Sequence, residues 1–245
     1  MSLDFLSLLA ADSEAFARAI ESGPAAAEIA GCPGWTLPAL GAHLGTVQRW
    51  ARHAILTGEP PRLDPASDPA PGDLAGLAGW LREGAGRLLD TLRTIDPQQP
   101  TWHPFPVEPK VLGIWPRRQA QEASVHRWDA EHAIGGTPTI AMEFAADGID
   151  EYWTVMLPRL ITRESLSVPC SVIAVNASDA GGRWVIDGRS GAVVMASPEA
   201  VPAAELTGPA ESVLLRLWGR PVADGQVELS GDLDVIGHWL SLGGA

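Results

Sequence analysis

Apolar residues recur at helical steps in the N-terminal part of the chain and change to a β-rich pattern after about residue 165. Before that point they follow one another at three- and four-residue intervals, which places them on one face of a helix. Four such segments are separated by stretches rich in proline and glycine, which interrupt helices. The pattern therefore predicts an antiparallel four-helix bundle followed by a small α+β domain with a mostly antiparallel sheet.

The four N-terminal helices are expected at residues 3–22, 36–57, 74–92 and 116–134. Thr36 is the expected N-cap of the second helix, with Pro38 in its first turn. Five prolines make residues 59–72 a loop: Pro60, Pro61, Pro65, Pro69 and Pro71. Four glycines, each costing about 1 kcal/mol relative to alanine, weaken the third helix: Gly76, Gly79, Gly84 and Gly86. This helix is expected to form, but it need not be straight.

The C-terminal part is expected to combine short strands with two helices. Strands are predicted at residues 167–176, 203–207 and 226–230, and as a hairpin over 183–195 around an Asp187-Gly188 turn. Helices are predicted at 210–218 and 232–240, the latter capped by Asp232, and a helical segment at 143–162 is expected to link the two halves. The sequence thus suggests two domains, residues 1–140 and 141–245.

Charge and hydropathy restrict the classes of partner. The net charge of −13 argues against nucleic acid or an anionic membrane surface as the main partner, because both require a basic footprint. The apolar runs are far shorter than the roughly 18 to 20 residues that span a bilayer. The N-terminus, with Asp4 and no basic segment, does not read as a signal peptide, so a cytoplasmic location is expected. Cys32 and Cys170 allow at most one disulfide and are expected to be reduced.

A candidate metal site begins with Glu122 and His126, which are four residues apart on the fourth predicted helix. This spacing puts both side chains on one face, where they can bind one metal or form a surface pair worth a few tenths of a kcal/mol. His43 lies near the inward face of the second helix, beside Leu40 and Val47. It is either a third ligand or a core histidine. Two histidines and one carboxylate suit Zn, Fe, Co, Ni or Mn.

Other residues near these helices have two readings each. Asp129 can orient an imidazole as a hydrogen-bond acceptor, or it can simply be exposed. Arg117 and Arg118 are expected to be a solvated pair rather than an anion clamp, and the Cys32 thiol to be structural. Four tryptophans are expected to fill the core, the sharper alternative being that they line a ligand pocket: Trp35, Trp50, Trp115 and Trp128.

Two segments, 32–44 (CPGWTLPALGAHL) and 115–129 (WPRRQAQEASVHRWD), resemble the signature helices of the mycothiol-dependent maleylpyruvate isomerase family, within the broader DinB-like metal-binding bundles. The specific part is the order of a histidine followed by Glu-x-x-x-His. Residues 214–220 (LLRLWGR) and 230–234 (SGDLD) are similar to the second domain of that family, which has a sterol-carrier-like α+β fold. The resemblance covers nearly the whole chain.

The resemblance implies a divalent metal, commonly assigned as zinc, held by His43, Glu122 and His126. It also implies a low-molecular-weight thiol, mycothiol, which such a metal activates for isomerisation or S-transfer on a small electrophile. Sequences of this kind are abundant in actinobacteria that make mycothiol. An arginine of the second domain has a catalytic part in the isomerase, and Arg220 is the candidate here, with Arg216 as the alternative.

Two other classes of function remain open at this point. The chain can be a non-catalytic module that binds a metal or an apolar ligand, or presents a surface to a partner. It can also be a metal-dependent hydrolase, which needs a general base near the metal, and the sequence identifies none. Substrate, metal identity and oligomeric state are not specified by the sequence.

Overall fold

The computed structural model describes residues 3–62, 64 and 66–243, so Leu63 and Pro65 of the proline-rich loop, the first two residues of the first expected domain and the last two of the second lie outside the described residues. The chain divides into two compact units. One comprises Met1–Pro104 and Glu108–Pro138, and the other comprises Phe105–Val107 and Thr139–Ala245. Among the described residues, no helix is both long and apolar enough to cross a membrane.

The first unit is the expected four-helix bundle. Its helices are α1 (Phe5–Ser22), α2 (Leu37–Thr57), α3 (Leu74–Leu92) and α4 (Ile114–Ala133). Two of them start with an aspartate that accepts a hydrogen bond from the first turn: Asp4 from the Ser7 amide and Asp73 from the Gly76 amide. Helix α3 is unbroken despite its glycines, because its apolar face is buried along its length.

Helices α1 and α2 each pack against both α3 and α4, so α1 and α2 lie at opposite corners of the bundle. The core between α1, α2 and α3 is apolar and includes Phe16, Ile20, Leu40, Leu44 and Leu77, all at most 1% exposed. Burial of such side chains is worth about 1.5–3 kcal/mol each. This core holds α2 in place, and α2 carries the first of the candidate ligands.

The second unit is the expected α+β domain. Its helical elements are α5 (Met142–Glu151), a π-helical turn (Tyr152–Met156), α6 (Leu157–Glu164), α7 (Ala210–Leu217) and α8 (Leu233–Ser241). Its strands are β1 (Val172–Ala177), β2 (Gly182–Asp187), β3 (Val194–Met195), β4 (Ala204–Gly208) and β5 (Glu228–Gly231). The sheet order is β3-β2-β1-β4-β5, and only the β1–β4 pairing is parallel among the described strands. Asp232 caps α8, as expected, by accepting from the amides of Asp234 and Val235.

The helical segment expected at residues 143–162 lies within the second unit, where Phe144, Ile149 and Trp153 are buried. One expectation about this unit is wrong. The hairpin does not turn at Asp187-Gly188, since Asp187 still pairs with Val194 across β2 and β3. Within the loop, Arg189 folds back and donates to the Asp187 carboxylate from its side chain and its amide.

Candidate metal centre

The three candidate ligands lie together within the helical bundle. His43 is on α2, and Glu122 and His126 are one turn apart on α4. One ligand atom from each of these three residues lies within 4.8 Å of the other two, and they form the only such group of histidine, cysteine or acidic residues in the part of the chain that the structure describes. The packing of α2 against α4 therefore brings His43 next to the Glu-x-x-x-His pair, a contact that the sequence suggested but did not specify.

The distances define which atoms face one another. The Nε2 atom of His43 is 3.3 Å from Oε1 of Glu122, and Nε2 of His126 is 3.4 Å from the same oxygen. The two imidazole rings meet edge to face with centroids 5.0 Å apart. Two imidazole nitrogens and one carboxylate oxygen thus converge on a common point, which is the donor set of an open metal site.

The exposed fractions of these side chains argue against the two alternatives to a metal site, a core histidine and a surface pair. The side chain of His43 is 34% exposed, so it is not a core histidine, whereas those of Glu122 and His126 are only 17% and 10% exposed, so they are not a surface pair. Helix α4 is unusual because it buries many polar side chains: Arg118, Gln119, Gln121, Ser124, His126, Arg127 and Asp129. Such a face is costly unless its polar groups are bonded to one another or to a ligand.

The charges of the two buried ligands stabilise each other. Burial alone would raise the pKa of Glu122, but hydrogen bonds from His126 and His43 and the charge of Arg118 hold it well below its ordinary value. Burial alone would lower the pKa of His126, but hydrogen bonds to Asp129 and Glu122 outweigh burial and raise it. In the metal-free protein each of the two groups therefore favours the charged form of the other.

A pH dependence follows for the metal-free protein. The raised pKa of His126 contributes stability that is complete below the ordinary value of 6.5 and is lost as pH rises through the folded-state pKa. The lowered pKa of Glu122 contributes stability that is present above 4.5 and is lost as pH falls through its folded-state pKa. We expect the free energy of unfolding of chelator-treated protein, measured with urea, to fall as pH rises above 6.5 through the raised pKa of His126.

The matched variant for this prediction is His126→Gln, which should lose most of that slope while remaining folded. A metal should act in the opposite direction, because it competes with the proton on His126 and binds more tightly as pH rises. An identical slope in wild type and His126→Gln would show that the imidazole does not carry the effect.

Two residues next to the ligands have clear positions. Asp129 is buried, and its Oδ2 lies 3.1 Å from Nδ1 of His126, so it contacts the imidazole and is not an exposed residue. Arg118 was expected to be solvated, as part of a pair with Arg117, but it is buried. Its Nη2 donates to Oε2 of Glu122 at 2.8 Å. Arg118 precedes Glu122 by four residues, so the helical spacing already contained the signal.

Of the four tryptophans near these helices, Trp35 contacts a candidate ligand. Its ring meets the edge of His43 with centroids 4.9 Å apart. Trp50 and Trp115 pack against each other within the first unit, and Trp128 stacks on His132. The core-filling reading therefore holds for Trp115 and Trp128, which are buried, while Trp35 is half-buried and contacts the His43 ring.

The remaining candidates lie elsewhere. Arg220 is in the second unit, where it is buried and donates from Nη1 to the carbonyl oxygen of Trp218 at 2.8 Å. Arg216, the alternative, is half-buried in the last turn of α7. Cys32 and Cys170 are both free thiols, the first buried and the second exposed.

Comparison with protein families gives two matches that follow one another along the chain. Residues 6–131 match the mycothiol maleylpyruvate isomerase N-terminal domain, which is more than half of the chain and contains all three candidate ligands. Residues 143–238 match the MDMPI C-terminal domain. No curated protein matches the chain.

Two solved structures share the fold. One is a crystal structure of the mycothiol-dependent maleylpyruvate isomerase, at 15% sequence identity, and the other is a histidine-to-alanine mutant of the mycothiol-dependent maleylpyruvate isomerase, at 14%. Each superposes with a TM-score of 0.63 over 94% of this chain and 93% of the other. At this identity the likeness establishes the arrangement of the backbone and leaves the activity open.

Proposed function

Because the chain belongs to the mycothiol maleylpyruvate isomerase family, we propose that it is a metal-dependent enzyme that activates a low-molecular-weight thiol, mycothiol, for isomerisation or S-transfer on a small electrophile. The single observation that carries the proposal is the convergence of His43, Glu122 and His126 inside the family's N-terminal domain. Family membership alone does not establish an activity, because related proteins can differ in the reactions they catalyse. The three converging donor atoms add a chemical reason for metal-dependent activity.

The three side chains fit a divalent metal. Two imidazole nitrogens and one carboxylate oxygen are the kinds of ligand that zinc accepts, and three protein ligands leave one position for an exogenous group. We propose zinc as the metal. His43 and His126 would each bind through Nε2, and Glu122 through Oε1, because these are the atoms that face one another.

When bound, such a metal would supply a positive charge that lowers the pKa of a thiol and favours the thiolate at neutral pH. The chain's own residues hold the donor atoms and leave the site reachable from the side of His43, the most exposed of the three. A thiolate that adds to a conjugated double bond permits rotation about the resulting single bond, and its departure restores the double bond. In a transfer reaction the adduct would be released instead.

Arg220 remains our candidate for a catalytic arginine, with Arg216 as the alternative. Its guanidinium is held by the carbonyl oxygen of Trp218, two residues earlier, at the end of α7. A guanidinium suits the binding of a carboxylate group of a substrate, because its planar fork can donate two parallel hydrogen bonds. A cytoplasmic location likewise stays a prediction.

Thiol-dependent turnover tests the proposal. Zinc-loaded protein is mixed with mycothiol and maleylpyruvate, or with a panel of small electrophiles, and products are followed by absorbance and by mass spectrometry of S-conjugates. We expect turnover that needs both the thiol and the metal, so a chelator should abolish it and added zinc should restore it. His43→Ala should be inactive under the same conditions.

Two other outcomes point to the alternatives. Metal-loaded protein that gives neither turnover nor adduct would contradict the enzymatic proposal and favour a binding module. Turnover that proceeds equally without any thiol would favour a metal-dependent hydrolase. Its general base would then have to be sought among the acidic residues near the site.

A further inference from the structure

The two carboxylate oxygens of Glu122 have different neighbours. Oε1 faces the Nε2 atoms of His43 and His126 at 3.3 Å and 3.4 Å, whereas Oε2 accepts a hydrogen bond from Nη2 of Arg118 at 2.8 Å. The Arg118 side chain is only 5% exposed, so this charged hydrogen bond lies away from water, where it is strong. It keeps Oε2 on the side of the carboxylate opposite the histidines.

The two ring nitrogens of His126 are divided in the same way. Nε2 faces Glu122, and Nδ1 lies 3.1 Å from Oδ2 of Asp129, whose side chain is completely buried. A neutral imidazole that gives Nε2 to a metal must carry its proton on Nδ1, and a carboxylate at this distance accepts that proton's hydrogen bond. Asp129 therefore selects both the tautomer and the direction of the ring.

We infer that Arg118 and Asp129 are positioning residues of the metal centre, which fix Oε1 of Glu122 and Nε2 of His126 as the ligand atoms. The inference rests on the proposed metal site and adds a statement about its geometry. With Oε2 held by Arg118, Glu122 would bind a metal through one oxygen, so the protein would supply three single-atom ligands. A further position would then be available to a thiol.

A purely structural role is the alternative for these buried charges. The same helix provides a comparison, because Arg127 pairs with Asp12 of α1 at 2.8 Å, largely away from water, and also with the half-buried Glu131, and none of these three is a candidate ligand. Breaking a buried pair destabilises a protein wherever it lies. Arg127→Gln therefore matches Arg118→Gln in helix, burial and charge, and it differs in that Arg127 pairs with Asp12 and Glu131, whereas Arg118 pairs with Glu122.

The experiment measures metal binding rather than turnover. Zinc affinity is determined by competition with a chromophoric chelator, and the visible spectrum of the cobalt-substituted protein reports coordination number. We expect Arg118→Gln and Asp129→Ala each to weaken zinc binding by about 10- to 100-fold. Arg118→Gln should also reduce the cobalt absorption, because Glu122 can then bind through both oxygens and raise the coordination number.

Conservative variants separate positioning from folding. Asp129→Asn keeps an oxygen that can accept from Nδ1, and Arg118→Lys keeps a donor for Oε2, so both should recover part of the lost affinity. Arg127→Gln should lower the urea midpoint while leaving zinc affinity and the cobalt spectrum as in wild type. These variants stay informative if the larger changes unfold the protein.

The results distinguish the inference from the proposed function. If wild type binds zinc at the three ligands and the Arg118 and Asp129 variants match its affinity and spectrum, the positioning roles are wrong and the metal site stands. If Arg127→Gln weakens zinc binding as much as Arg118→Gln does, the effect is general and the inference is also wrong. If wild type binds no metal, the proposed function itself fails.

Discussion

His126→Ala is expected to lower the affinity of the protein for zinc by about two to three orders of magnitude. Zinc sites that fold small domains are worth roughly 10–16 kcal/mol, so each of three or four ligands carries about 3–4 kcal/mol, and each 1.4 kcal/mol is about tenfold. The variant also removes the imidazole that hydrogen-bonds to Glu122 and Asp129. Competition titration and metal analysis after dialysis measure the loss.

His132→Ala is the matched control for this variant. His132 lies on the same helix, but its ring is stacked on Trp128 with centroids 4.6 Å apart, and it is exposed. It should leave zinc affinity unchanged. Equal affinities for wild type, His126→Ala and His132→Ala would place any bound zinc outside the proposed centre.

Gly45→Ala is expected to destabilise the protein by about 3 kcal/mol, the upper part of the usual range for overpacking. A Cβ atom at position 45 of α2 would lie 2.0 Å from the Trp80 ring of α3. Trp80 cannot easily move away, because its indole donates to Asp68 and its ring is covered by the Arg49 guanidinium at 3.6 Å. The free energy of unfolding in urea measures the effect.

Gly79→Ala on α3 should change stability in the opposite direction. A Cβ atom there meets no atom within 4 Å, so alanine restricts the unfolded chain without a clash and should stabilise the helix by about 0.5–1 kcal/mol. Stabilisation by both substitutions would mean that α2 and α3 do not approach as closely at Gly45 as described. The pair thus tests the packing that holds α2, and with it His43.

Local patterns were sufficient for most of the helices. The three- and four-residue apolar spacing predicted α1, α2 and α3 closely, and Asp232 was recognised as a cap because an aspartate before a helical segment satisfies free amides. These signals act within one or two turns of the chain. They therefore survive in a single sequence without knowledge of what packs against each element.

Features that depend on distant contacts were not predictable in the same way. Phe105–Val107 belong to the second unit, where Phe105 is buried and Arg159 lies over its ring, although their neighbours in sequence belong to the bundle. The loop between β2 and β3 spans residues 188–193, so it is longer than the two-residue turn that the Asp-Gly pair suggests. The strand pairing that sets this length depends on residues far apart in the sequence.

The candidate site was predictable in part. Spacing alone placed Glu122 and His126 on one face of α4, but only helix packing brings His43 to within 3.3 Å of the carboxylate. Arg118 was misread as solvated because a doublet of arginines is usually exposed. Its position four residues before Glu122 was the available signal, and an acidic residue at that spacing inside a buried face favours an internal pair.

Anomalous scattering from crystals of the metal-loaded protein tests the central claim most directly, with data collected above and below the absorption edge of the metal that elemental analysis identifies. The account predicts one strong anomalous peak, from a metal ion bound by Nε2 of His43, Oε1 of Glu122 and Nε2 of His126. This ion should have a further position open to an exogenous ligand. A metal-loaded crystal with no peak among these three atoms, or with its peak elsewhere, would contradict it.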